Sequence, residues 1–290
     1  MGITIVPFLF TDIEQDMAAA ARLMNYFDMR SEPGYENDTK PPEDWPSEGS
    51  IRIGDLLLAS APGRRRASHE TFMLDIGPRE KVCITGQKDA RASSLAAKLM
   101  LMSKESFGDV LVDEMSLATL NLSEARKAFC ALQREPFIFA SSLRKNLDPE
   151  GIYEDGEIWE ALEAVRMKDY VEELPRQLNY VMTKPSRFSD SQLMLLSLAR
   201  ALLQKRRIII LDEVVSVVDF NTLRIINNVV KHLLTNCTII TVAYGPIGLE
   251  TILYHDRVIV TEGGRIVEMG SPRALLERED SLLSRYLTPI

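Results

Sequence analysis

The chain has 290 residues, 46% hydrophobic and 26% charged, which are the proportions of a globular protein able to bury a full core. A net charge of −8 lacks the basic footprint of a nucleic-acid binder. Three cysteines, Cys83, Cys130 and Cys237, lie in apolar stretches and argue for buried free thiols, while three scattered histidines argue against a zinc site.

The first ten residues, MGITIVPFLF, are apolar, with no basic segment before them and no cleavage signal after. They read either as a buried strand or as the tail of a membrane helix. Residues 11–30 read as a helix, because Ile13, Met17, Ala20, Met24 and Phe27 recur at three- and four-residue spacing and Thr11 or Asp12 offers a cap. SEPGYENDTKPPEDWPSEGS, at 31–50, is rich in proline and acids without an apolar period, and reads as a linker. IRIGDLLL and FMLDI follow as strands around a basic turn, PGRRRASHE, in which RRAS fits a basophilic kinase site at Ser68.

VCIT is a further strand, leading into GQKDARAS at 86–93 and then a helical run, SSLAAKLMLM. Strand, glycine loop, helix is the context of a phosphate-binding loop, G-x-x-x-x-G-K-[ST], of which only Gly86 and Ser93 are present. The same stretch also reads as an ordinary strand-to-helix connection. GDVLVDE is another strand, and residues 151–205 are helix-rich, with EIWEALEAV and SQLMLLSLARALLQ. RRIIILDE is a continuous apolar strand ending in two acids, Asp212 and Glu213, as expected at the centre of a parallel sheet. A helix over 221–234, a buried strand CTIITVA, a hairpin around Gly263–Gly264 and a helix SPRALLERED complete an α/β pattern.

In this order, REPFIFASSLRKNLDP, EIWEALEAV, FSDSQLMLLSLARALL, IIILDEVVSVVD and RVIVTEGGRIVEMGSP resemble the nucleotide-binding domain of ATP-binding-cassette (ABC) transporters. The match is to the second, C-terminal domain of the multidrug-resistance-associated subfamily. It covers 51–287, and the WPSEGSI stretch before it resembles that domain's opening W-P-x-x-G-x-I. The resemblance implies a P-loop NTPase-like ABC ATPase core with a helical subdomain, about 134–205, and an antiparallel β subdomain. It makes 1–30 the end of a transmembrane helix plus a connecting helix, and 31–50 the linker. The chain is then either a fragment of a longer transporter or a short product retaining its C-terminal part.

The resemblance assigns the nucleotide site to Gly86, Lys88, Arg91, Ala92, Ser93, Ser94 and Gln133, with Ser93, Gln133 and Asp212 toward Mg²⁺ and Glu213 polarising the attacking water. Arg91 stands where the family has its second glycine and Ala92 where it has lysine. A charge-assisted hydrogen bond is worth roughly 1.5–3 kcal/mol, so the missing lysine alone implies about tenfold to somewhat over a hundredfold weaker binding. Lys88 or Arg91 offers partial compensation. Ser60 replaces the adenine-stacking aromatic, and Tyr244 replaces the switch histidine with a phenol that carries no charge near neutral pH.

The signature L-S-G-G-Q is represented by Phe188, Ser189, Asp190, Ser191 and Gln192, and Asp219 matches an acid at the domain–domain interface. Asp190 beside a partner-bound phosphate implies a repulsion of about 3 kcal/mol at 5 Å and an effective dielectric near 20. Its type also suits capping the helix that follows.

These matches imply a membrane-associated domain on the cytoplasmic face, paired with another ABC nucleotide-binding domain and with transporter membrane helices, using ATP and Mg²⁺ where binding is retained. The substitutions imply weak binding and impaired hydrolysis, with an allosteric or structural role in an export-type transporter. The alternatives are an active ABC ATPase and an interaction module that no longer binds nucleotide.

Overall fold

Continuous apolar runs form the centre of the molecule, and alternating ones its margin. The structure is a computed structural model that describes residues 5–27, 29, 31–32, 34–57, 71–86, 99–100, 107–182, 187–244, 248–262 and 265–287. Its strands are β1 (Ile51–Leu57), β2 (Thr71–Ile76), β3 (Lys81–Gly86), β4 (Phe107–Val112), β5 (Met115–Ser116), β6 (Phe129–Gln133), β7 (Ile208–Asp212), β8 (Thr238–Tyr244), β9 (Arg257–Glu262) and β10 (Arg265–Gly270). Among the described residues one sheet has the order β10-β9-β3-β8-β7-β6, parallel from β9 to β6, with β10 antiparallel at one edge. The second has the order β2-β1-β4-β5 and is antiparallel throughout.

Ile208, Ile209, Ile210 and Leu211 of β7 are all buried, as is every residue of β8, because the parallel strands are covered on both faces. On one face, Leu132, Ile209 and Leu211 pack against Ile158 and Leu162 of the helix Asp155–Ala164 and Leu195 and Leu198 of the helix Asp190–Gln204. On the other, Ile84, Ile210 and Ile240 meet Ile51, Ile53, Leu74 and Val112 of the antiparallel sheet. Fully burying each such side chain is worth about 1.5–3 kcal/mol.

Several expectations need amending. From Ile5 the apolar start is helical and continuous with the next segment, in one helix Ile5–Phe27, so the strand reading does not hold there. Its apolar positions Ile13, Met17, Met24 and Phe27 are exposed, and no described helix is long and apolar enough to cross a membrane. The closing helix is shorter than SPRALLERED: it spans Pro272–Leu276, followed by a 3₁₀ turn, Leu282–Tyr286. The segment 31–50, although without an apolar period, is strapped down by hydrogen bonds. Asn121 N–H donates to the Thr39 carbonyl at 2.9 Å, and Asp113 accepts from Glu48, Gly49 and Ser50 N–H at 2.7–3.1 Å. Burial of the Asp113 carboxyl opposes ionisation, but these bonds outweigh it and hold the group below its usual range. The SSLAAKLMLM helix and the turn carrying Ser68 fall largely or wholly outside the described residues.

Burial also decides the state of His255, which pins β8 to the helix Leu249–Leu253. Its Nδ1 lies 2.8 Å from the Thr251 carbonyl, which only accepts, so Nδ1 carries the proton and Nε2 accepts from the Thr241 hydroxyl, also at 2.8 Å. Desolvation lowers this imidazole to about 4, and the Thr251 contact resists the shift. The unfolded chain takes up this proton near pH 6.5 and the folded one near pH 4, so stability is lost as pH falls across that window. Urea melts are expected to lose about 3 kcal/mol over it, a loss reduced in His255→Gln.

Candidate functional site

Parallel pairing sets where the polar ends of the strands fall. Gly86 of β3 is opposite Tyr244 of β8, β8 pairs with β7 at Val242 and Asp212, and Asp212 is opposite Gln133 of β6. Four sequence-identified residues therefore share the C-terminal edge of the sheet, across about 14 Å at ordinary strand spacing. Ligands bind at this edge in open α/β sheets.

Gly86 has φ of +149°, and a Cβ there would lie 1.9 Å from the Thr261 carbonyl oxygen and 2.8 Å from its hydroxyl. The glycine lets β3 approach β9 closely just before the chain leaves the sheet. Tyr244 is buried at the end of β8. Lys88, Arg91, Ala92, Ser93 and Ser94 lie outside the described residues, as does Ser60.

Asp212 is the most electrostatically stressed acid of this edge. Its Oδ1 is buried with no hydrogen-bond partner among the described residues. Desolvation, aided by the charge on Glu213, raises its carboxyl to about 6. An orphaned, desolvated carboxylate oxygen fits a divalent cation, which would remove both penalties. Asp212, with the exposed Gln133 opposite it in register, would hold such an ion from this chain's described residues.

Glu213 follows in a left-handed turn at φ +52°, where its N–H donates to the Val242 carbonyl at 2.8 Å and fixes it to β8. The side chain is 13% exposed, and its Oε2 accepts from Arg134 Nη1 at 3.2 Å. Sequence reasoning passed over Arg134 because strand β6 went unrecognised. The apolar run FCAL, ending at Gln133 and Arg134, carried that signal.

A second group forms at two helix starts. Ser189, not Asp190, caps the helix Asp190–Gln204. Its extended backbone lets the hydroxyl accept from Gln192 N–H at 3.2 Å, and Gln192 Oε1 accepts from Ser189 N–H at 2.9 Å. This is the Ser-x-x-Gln capping box, which leaves Asp190 in the first turn, where the helix dipole favours its charge. Asp219 caps the helix Phe220–His232, accepting from Thr222 N–H at 3.0 Å and its hydroxyl at 2.9 Å, and Asp219 N–H donates to the Ser191 hydroxyl at 3.5 Å. The Ser191 hydroxyl and then Thr222 hold the Asp219 carboxyl down at about 2. The stretch 189–192 and Asp219 are thus tied together within one chain.

With this geometry in place, comparisons with known proteins are informative. The family model described as ABC transporter matches residues 70–216. Human ATP-binding cassette sub-family C member 2 is 34% identical over 268 residues, covering 92% of this chain and 17% of that protein. Human ATP-binding cassette sub-family C member 4 is 33% identical over 277 residues, covering 95% of this chain and 20% of that protein. The chain therefore spans about a fifth of the length of these relatives. Among solved structures, a bacterial Atm1-family ABC exporter with ATP bound superposes with a TM-score of 0.80 at 20% identity, covering 94% of this chain and 46% of that one, a likeness of fold.

Two substitutions test this geometry. Gly86→Ala is expected to destabilise the chain by about 3 kcal/mol or more in chemical denaturation, because the methyl group meets a backbone carbonyl. Asp212→Asn is expected to stabilise the metal-free chain. A carboxyl raised in the folded state loses stability as pH rises from about 4 to its folded value near 6, and the amide removes that loss. Discounted for partial exposure, the gain is about 1 kcal/mol at pH 7.5, vanishing toward pH 4.

Proposed function

Since the chain belongs to the ABC transporter family, as a nucleotide-binding domain of the multidrug-resistance-associated subfamily C type, we propose that it binds Mg·ATP weakly at the β3-β8-β7-β6 edge and hydrolyses it slowly or not at all. It serves as the allosteric or structural half of a pair of such domains, on the cytoplasmic face of an export-type transporter.

The observation that carries this reading is the Arg134–Glu213 pair at 3.2 Å. Glu213 is the residue assigned to orient and polarise water. A water molecule approaching that carboxylate competes with a guanidinium already holding Oε2. Ala92 in place of the lysine and Tyr244 in place of the histidine weaken the same site from the phosphate side. When bound, Mg²⁺ supplies Lewis-acid polarisation of the phosphoryl oxygens. Asp212 and Gln133 would hold the ion, Gly86 would open the loop toward the phosphates, and Tyr244 would donate one hydrogen bond without a charge. Ser189, Asp190, Ser191 and Gln192, with Asp219, would face the partner domain.

The reading of an active ATPase draws on one observation, the in-register pair of Gln133 and Asp212 followed by Glu213. Radiolabelled Mg·ATP turnover by the 290-residue chain decides between them. The native chain is expected to match Glu213→Gln, whereas Arg134→Gln is expected to raise Glu213-dependent turnover by about a hundredfold, the lower end of what a freed acid–base group contributes. Fast native turnover lost in Glu213→Gln would establish the ATPase instead.

A further inference from the structure

Away from the sheet edge, a charged cleft of about 510 Å³ opens between the turn after the helix Asp155–Ala164, the helix Phe220–His232 and the helix Leu249–Leu253. Arg166 enters from the first, Arg224, Lys231 and His232 from the second, and Glu250 and Tyr254 from the third. Three permanent cations and one imidazole thus face a single carboxylate, in a chain whose net charge is −8.

Among the described residues these cations are not engaged by protein acceptors. Among the described residues, no side chain of Arg166, Arg224, Lys231 or His232 makes a hydrogen bond or ion pair, and Lys231 Nζ instead lies over the Tyr254 ring, 5.4 Å from its centroid. Elsewhere Arg52, Arg126, Arg144, Arg257 and Arg278 each sit against a carboxylate. The dipole of the helix Phe220–His232 accounts for Lys231 and His232 in its last turn. It does not account for Arg224 in the first half, nor for Arg166 across the cleft. Arg166 is held at φ +59° by a helix-ending turn in which Met167 N–H reaches the Leu162 carbonyl, a position that ordinarily favours glycine.

We propose that this cleft binds a compact phosphorylated polyol carrying two or more phosphates. Arginine forks and an ammonium match phosphate oxygens, the amides of Asn221 and Asn228 add neutral donors, and Glu250 provides the acceptor that a hydroxyl requires. The volume suits a small solute or a lipid headgroup. The helix carries Lys231 about 18 Å along its axis from Asp219, so the cleft extends away from the nucleotide edge and is independent of the reading given for that edge.

The test is calorimetric titration of the full chain with inositol hexakisphosphate, alongside co-sedimentation with phosphatidylcholine vesicles with and without phosphatidylinositol bisphosphate. Saturable binding that weakens with added salt is expected, falling about a hundredfold in R224E/K231E. R224Q/K231Q keeps the same circular dichroism melt while binding more weakly, which separates loss of the site from loss of fold. Binding to the free solute alone identifies a soluble ligand, and binding to both identifies a headgroup. Absence of binding in both arms, or equal affinity in R224E/K231E, would overturn the proposal.

Discussion

Parallel hydrogen-bonded register is the constraint on which the molecule depends. Pairing Ile208–Asp212 with Thr238–Tyr244 on one side and Phe129–Gln133 on the other fixes where every strand ends. Because parallel strands end on the same side, an acid pair, an amide, a phenol and a glycine distant in sequence arrive at one edge. A shift of one residue would carry Asp212 out of line with Gln133 and turn the buried isoleucines of β7 to the opposite faces. The two apolar layers on the sheet therefore secure the position of the polar edge.

The chemistry at that edge is unbalanced. Asp212 keeps a desolvated, partnerless oxygen suited to a cation, and its raised titration reports that stress. Glu213 beside it is held by the guanidinium of Arg134, the residue that follows β6. The edge thus combines a carboxylate oxygen left without a partner among the described residues with a neighbouring carboxylate already paired to the chain's own arginine. At the helix starts, the capping box of Ser189 with Gln192 and the capping carboxylate of Asp219 use polar groups to begin helices. These are structural tasks within one chain.

Much of this was legible in the sequence because it rests on strong local signals. Continuous apolar runs gave away β7 and β8, three- and four-residue spacing gave away the long helices, and glycine before a strand-to-helix transition marked Gly86. Strand β6 was harder, since FCALQ is five residues long and merges with polar flanks, and with it Arg134 was missed. The cap at Ser189 was legible in Ser-x-x-Gln, but Asp190 is as good a capping type by residue identity, so the one-residue choice between them is settled only by the backbone. The cohesion of 31–50 was not readable at all. It comes from backbone groups meeting Asp113 and Asn121, some 60–90 residues away, which no local pattern encodes.

The proposed function joins this fold to a phosphate loop whose lysine position holds Ala92, and so to a weaker cationic grip on nucleotide. Equilibrium binding of Mg·ATP to the native chain and to Ala92→Lys addresses that most directly. The expected result is weak native binding that tightens by about tenfold or more when the ammonium is restored, the gain of one charge-assisted contact. Tight binding by the native chain, unchanged in Ala92→Lys, would contradict it.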